Sequence, residues 1–225
     1  MTIQINGTSG ISGVDGSAAT PALQGSDTNT GISFGTDEVQ LITGGTQRAL
    51  VDSTGYLRLA GAGIQFNGDT AAANALDDYE EGTFTPGLEG LSAGTGSFSP
   101  SSNNAGIYRK IGNIVYFQAN LAGSWTNGTA SGSVKITGLP VACRGFVSGE
   151  GGASYSPVNF SYMAGITPAT AGYYRTGGLV LPNTTTLLLY QGNGSGGVQT
   201  DHKITEVSTA AGGVNWHFGG FYSVA

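Results

Sequence analysis

Charged side chains are scarce in this chain, at 10% of 225 residues, and it holds only one cysteine and two histidines. Cys143 cannot form an intrachain disulfide, and beside Val141 and Ala142 it reads as a small buried residue. One cysteine and two histidines at no ligand spacing exclude a zinc site. No GxSxG turn is present, which excludes the elbow-borne serine nucleophile. No stretch approaches the ~20 apolar residues of a membrane-spanning helix, and the amino terminus has neither the basic segment nor the apolar core of a signal peptide. These absences lead us to expect a soluble, unprocessed chain with no cofactor, no metal and no insertion in a membrane.

Glycine, by contrast, is abundant, with 40 residues in no three-residue period. That excludes collagen, and the interspersed Val, Ile, Tyr and Phe exclude simple disorder. Many short strands joined by tight turns remain, an all-β chain. The net charge of −6 is unevenly spread. Residues 1–89 hold eleven acids against Arg48 and Arg58, whereas residues 90–225 hold Glu150, Asp201 and Glu206 against Arg109, Lys110, Lys135, Arg144, Arg175 and Lys203. Six dispersed cations do not make a nucleic-acid patch, although a mildly basic part would not repel an anionic cell surface.

Taken in order, residues 1–20 are small and polar, with Ile3 and Ile5 alternating as in a short strand; they read equally as an attachment segment or a flexible terminus. Residues 21–68 alternate in VQLIT, RALVD, YLRLA and IQF between GG, STG and AGAG turns, which predicts a meander. This segment is too poor in large apolar residues to build a core alone, and winding three copies about one axis would bury its stripes. Residues 69–89 open with alanines after Asp69 and Thr70 and stop at Gly82 and Pro86, predicting one or two turns of helix. Asp27-x-Asn29-x-Gly31 lacks the later acidic ligand of a calcium loop and reads as a turn. The acids at 77, 78, 80 and 81 read as a solvated helix end rather than a cation site.

Residues 90–225 carry the pattern of an antiparallel, jelly-roll-like β-sandwich. In IVYFQANL, Val115, Phe117, Ala119 and Leu121 share one face, and Tyr116, Gln118 and Asn120 the other. Further strands are predicted at 134–137, 145–148, 159–164, 178–181, 186–191, 203–208 and 214–218, with His217 pointing outward between Trp216 and Phe218.

Several of these motifs are similar to parts of tailed-bacteriophage tail fibres and short receptor-binding fibres. LDDYEEGTFTP at 76–86 resembles the junction that opens their distal domain. Residues 21–59 resemble the shaft module before it, and AGIYRKIGNIVYFQANL at 105–121, ITGLP at 136–140 and the terminal FGGFYSVA continue the likeness. The resemblance implies a homotrimer with an elongated shaft of intertwined strands. It further implies an amino end docked on a baseplate or tail protein, assembly in the host cytoplasm onto the virion tail, and a distal domain that attaches the virion to host surface polysaccharide of lipopolysaccharide type.

Within that expectation, attachment without catalysis competes with a polysaccharide-degrading tailspike and with a purely structural baseplate or tail part. Glycoside hydrolysis needs two carboxylates across one bond. Glu150, Asp201 and Glu206 form no evident pair, and the repeats of a parallel β-helix are absent. Sugar recognition needs rings for the apolar face of a pyranose and amides or charges for its hydroxyls. Three Gly/Ser/Thr/Asn-rich loops offer them: Trp125 and Asn127 in 123–132, Tyr155 with Tyr173, Tyr174 and Arg175 in 149–158 and 168–178, and Asp201 and His202 in 191–203. The alternative is that these rings tuck under their own loops or into a trimer interface. NGT at Asn127 and NGS at Asn193 match glycosylation acceptors but read as turns.

Overall fold

The computed structural model describes residues 4–8, 10–61, 63–72, 75–92, 94–146, 148–149, 155–167, 173–193 and 200–224. The chain divides between Asp77 and Asp78 into two units. Every strand pair in both is antiparallel, so the all-β expectation holds.

In the first unit, β1 (Gln4–Asn6) pairs with β2 (Gly10–Ser12). A meander of β3 (Leu23–Gln24), β4 (Gly31–Gly35), β5 (Glu38–Thr43), β6 (Thr46–Val51) and β7 (Leu57–Leu59) forms a five-stranded sheet in chain order. The β5–β6 turn is set by Gly44 and Gly45, at φ 59° and 71°, the double left-handed pair that a tight hairpin requires. IQF forms no strand; Ile64 makes only an isolated bridge to Leu76.

The β6–β7 turn is held by Asp52. Its carboxylate accepts from the Thr54 hydroxyl (2.7 Å), from the Thr54 and Tyr56 amides (2.9 and 3.0 Å) and from Arg58 Nε (2.6 Å). These donors, the Thr54 hydroxyl first, hold its pKa at about 2 rather than the ordinary 3.8, against the opposing effect of burial. A depressed carboxylate stabilises the fold above its unfolded pKa, and that contribution goes as pH falls through the folded value. The turn should therefore keep its contacts at pH 4 and lose them near pH 2. An NMR titration of the Asp52 carboxyl with a midpoint close to 3.8 would contradict this.

The expected helical junction at 69–89 is not found. Asp69 Oδ1 captures the Ala71 amide two residues on (2.8 Å), the local turn by which aspartate competes with helix, and only a 3-10 turn at Ala72 follows among the described residues. Beyond it the chain is extended: β8 (Tyr79–Phe84) pairs with β11 (Ala105–Ile111), and β9 (Gly87–Ser92) pairs with β13 (Ser131–Thr137). Residues 78–89 thus belong to the second unit rather than to a junction. Ladder bonds on neighbouring strands outweigh the helix propensity of so short a segment. The acidic run is no helix end either, since Glu80 lies opposite Lys110 and Glu81 opposite Arg109, and the buried Lys110 ion-pairs with Asp78.

The remaining strands are β10 (Ser97–Pro100), β12 (Ile114–Thr126), β14 (Ser156–Ala164), β15 (Tyr173–Val180), β16 (Leu187–Asn193), β17 (Thr200–Asp201) and β18 (Val214–Ser223). They form one eleven-stranded sheet in the order β8-β11-β12-β18-β14-β15-β16-β13-β9, with β10 beside β12 and β17 beside β16. The sheet curls so that β9, at one end of this order, touches β12 near the other. The segment at 145–148 forms no strand over its described residues. KITEVS folds as a 3-10 turn at Ile204–Glu206, with single bridges at Lys203 and Val207. Residues 218–223 of FGGFYSVA continue 214–218 as β18, which lies inside the sheet between β12 and β14.

Alternation on the two longest strands makes the core. Val115, Phe117, Ala119 and Leu121 of β12 point inward with Val214, Trp216, Phe218 and Tyr222 of β18, against Leu88, Val134, Ile136, Val158, Val180, Leu187 and Leu189. The buried Trp216 donates its Nε1–H to the Ala164 carbonyl (2.8 Å). Tyr222 donates to the Val141 carbonyl (2.9 Å), and burial pushes its phenol up to about 12. Cys143 is buried beside this core, as expected, and burial raises its thiol. Asn104, also buried, pins the β8–β9 corner: its Nδ2 donates to the Pro86 carbonyl (2.9 Å) and its Oδ1 accepts from the Ala122 amide (3.0 Å).

Candidate functional site

Among the described residues, those chosen from sequence do not converge on one surface. Trp125 is only 2% exposed and belongs to the core. It ends the inward row of β12, and its indole Nε1–H donates to Asn127 Oδ1 (3.3 Å), so that pair satisfies itself. The indole lies over Gly96, where a Cβ would come within 2.6 Å of it. Tyr155 is exposed, with its ring set edge-on to the exposed Phe146 (5.3 Å, 71°). Tyr173, Tyr174 and Arg175 open β15 instead of lying in a loop; their side chains, and residues 150–154, 168–172 and 194–199 of the chosen loops, fall outside the described portion.

His202 is wholly buried and cannot serve as a surface contact. Its Nδ1 lies 2.6 Å from Glu206 Oε2, and its Nε2 lies 3.1 Å from Thr176 Oγ1. An ionised carboxylate only accepts, so Nδ1 carries the shared proton, and in the neutral ring Nε2 accepts from the threonine hydroxyl. Gln191 Nε2 donates to Glu206 Oε1 (3.4 Å), and Asp201 accepts from the Ser133 hydroxyl. Hydroxyl, imidazole and carboxylate follow the order of a nucleophilic relay. The ring is sealed from solvent, and the Glu206 side chain is only 4% exposed, so the cluster ties β15, β16 and the 3-10 turn together as a scaffold.

The exposed chemistry lies instead on the outward face of β8, β11, β12, β18 and β14. The registers arrange its side chains in rows. Glu81, Arg109, Tyr116 and Phe221 form one; Thr83, Ile107, Gln118, Gly219 and Asn159 the next; Ala105, Asn120, His217 and Tyr162 the third. A bulge at Ser161 shifts the parity of β14, which turns Tyr162 outward beside His217. Their rings meet edge-on (5.7 Å, 84°), and Tyr116 lies 6.1 Å from Phe221. Gly219 falls at an outward position and leaves a gap between His217 and Phe221. Around that gap runs a groove of ≈ 570 Å³ lined by Thr83, Gln118, Asn120, Asn159, Ser161 and His217, with Phe160 and Phe218 among its apolar walls. Among the described residues its lining holds no acid and no Lys or Arg.

Part of this face was legible in the alternation, which puts Tyr116, Gln118 and Asn120 opposite the core residues and His217 outward. Its assembly into one groove was not, because that depends on β11, β12, β18 and β14 being neighbours. Nothing local in the sequence marks the bulge at Ser161.

No protein-family model matches the chain, and no curated protein matches it. Among solved structures, the crystal structure of the Dettilon tailspike protein (gp208) aligns with a TM-score of 0.48 and 21% identity, over 64% of this chain and 24% of that one. The chain thus matches about a quarter of the length of that protein, a likeness too slight to carry a fold or an activity across.

Proposed function

We propose that the chain is a homotrimeric subunit of a phage tail fibre whose second unit binds host-surface glycan without cutting it. The observation that carries this reading is a bare apolar face in the first unit. Through the registers of β3 to β7, Leu23, Ile32, Leu41, Ala49 and Leu59 form one row, and Phe34, Val39, Val51 and Leu57 the next. All nine residues of these two rows are apolar, and seven are between 37% and 65% exposed. Ile42 and Ala49 are the buried hydrophobic residues of this unit among the described residues. So small a core does not hold a unit folded, whereas burial of that face against further copies supplies what is missing.

A shaft built from copies accords with the fibre-like motifs in the sequence, and a docking role for the amino end on a baseplate or tail protein follows from the same reading. Attachment rather than hydrolysis is supported by the state of two acids: Glu206 is committed to His202 and Gln191, and Asp201 to Ser133. Light scattering of the full chain is expected to give three times its 22.7 kDa mass at micromolar concentration. Labelled protein is expected to adhere to some members of a bacterial panel without releasing new reducing ends from their polysaccharide. A monomer, or a dimer, would overturn the assembly, and new reducing ends would overturn the non-enzymatic reading.

A further inference from the structure

We infer that the outward groove on β11, β12, β18 and β14 is a binding site for an uncharged saccharide chain; this deepens the attachment reading and rests on it. Half-exposed rings gathered on one sheet face mark a surface suited to contact. Tyr116, Tyr162 and Phe221, which flank the groove rather than line it, are each about half exposed, and between them stand the amides of Gln118, Asn120 and Asn159 with His217. Rings offer flat apolar surface to the C–H face of a pyranose, and each amide offers a donor and an acceptor at fixed separation, which suits hydroxyl pairs. Asn120 adds a second, independent sign. Its Nδ2 donates to the Asn103 carbonyl (3.2 Å), while its Oδ1 is buried without a hydrogen-bond partner among the described residues, which leaves one polar atom of a groove-lining residue unsatisfied.

The charge of the ligand follows from the lining. An acidic saccharide would be met by cations, and among the described residues no Lys or Arg lines this groove; Arg109 on the same face is shared with Glu81 (3.6 Å) in the first row. Length follows from the strands crossed. From Thr83 on β8 to Asn159 on β14 there are four inter-strand steps, roughly 19 Å at ~4.8 Å each, which exceeds one sugar ring and asks for a run of several. A second copy of this chain is the competing occupant. Amides and a glycine gap at the centre argue against it, because an interface core between copies favours close apolar packing there.

The test measures the full chain on an array of neutral oligosaccharides and acidic polysaccharides, with Gln118→Ala, Asn159→Ala and Tyr162→Ala beside it. All three side chains are exposed, so the variants are expected to keep the mass and unfolding transition of the parent. The parent is expected to bind neutral oligosaccharides, and each variant to lose about tenfold in affinity, the effect of one hydrogen bond or ring contact. Binding confined to acidic polysaccharides, binding to none, or unchanged affinity in all three variants would overturn the groove assignment. So would a fall in mass on substitution, which marks the face as a contact between copies. If the variants adhere to bacteria as well as the parent does, the groove is wrong and attachment stands; if the parent itself adheres to none, the attachment reading fails.

Discussion

Trp125→Ala is expected to lower the stability of the second unit by about 3–5 kcal/mol, the usual effect of emptying a buried tryptophan site. The indole is 2% exposed and lies over Gly96, whose lack of a side chain leaves the space it fills. Alanine there would leave a void that backbone-tethered glycines cannot close. The same substitution would strand Asn127 Oδ1, which now accepts from the indole. For a unit of this size the transition is expected to move down by roughly 10 °C. Tyr116→Ala, on the outward face of the same strand, serves as the control and is expected to stay within about 1 kcal/mol. An unchanged transition in Trp125→Ala, together with lost adhesion to cells, would restore the indole to a binding surface.

That residue also shows where reading the sequence stopped short. The inward parity of Val115, Phe117, Ala119 and Leu121 runs on through Gly123 to Trp125 without a break, because β12 continues to Thr126. Gly123, Ser124 and the following Asn-Gly suggested a loop four residues too early. The glycine at 123 is instead a packing device: a Cβ there would meet the Ser99 carbonyl at 2.3 Å and the Phe98 ring at 2.8 Å, so β10 can lie against the end of β12. A local turn signal was outweighed by a neighbouring strand.

The meander of the first unit was legible because its turns are written locally, in Gly44-Gly45 and in the Asp52 turn. The second unit was legible strand by strand but not in its order, since β18 reaches β12 across nearly ninety residues of chain. The extended conformation of Tyr79–Phe84 likewise has no local cause; it comes from pairing with β11, and acids that suited a helix end became cross-strand partners of Lys110 and Arg109. Trp125 and His202 proved buried for the same reason. Composition marked polar loops with rings, whereas exposure was decided by which strand covers which.

His202→Ala is expected to have an effect of similar size, about 3–5 kcal/mol, for a different physical reason. Removal of the imidazole leaves Glu206, with its side chain 4% exposed, as a carboxylate deprived of its closest donor, and one member of a buried pair lost is worse than both. Gln191 Nε2, at 3.4 Å from Glu206 Oε1, is too distant and too weak a donor to compensate, and its own Oε1 is already buried without a partner among the described residues. The double substitution His202→Ala with Glu206→Leu removes the stranded charge, and should therefore be less destabilised than the sum of its two single substitutions by about 1–3 kcal/mol. Urea denaturation of the four proteins reads this coupling directly. Additive effects would mean that the two side chains stabilise the fold independently, and the 2.6 Å contact would then not be what holds the 3-10 turn at Ile204–Glu206 against β15 and β16.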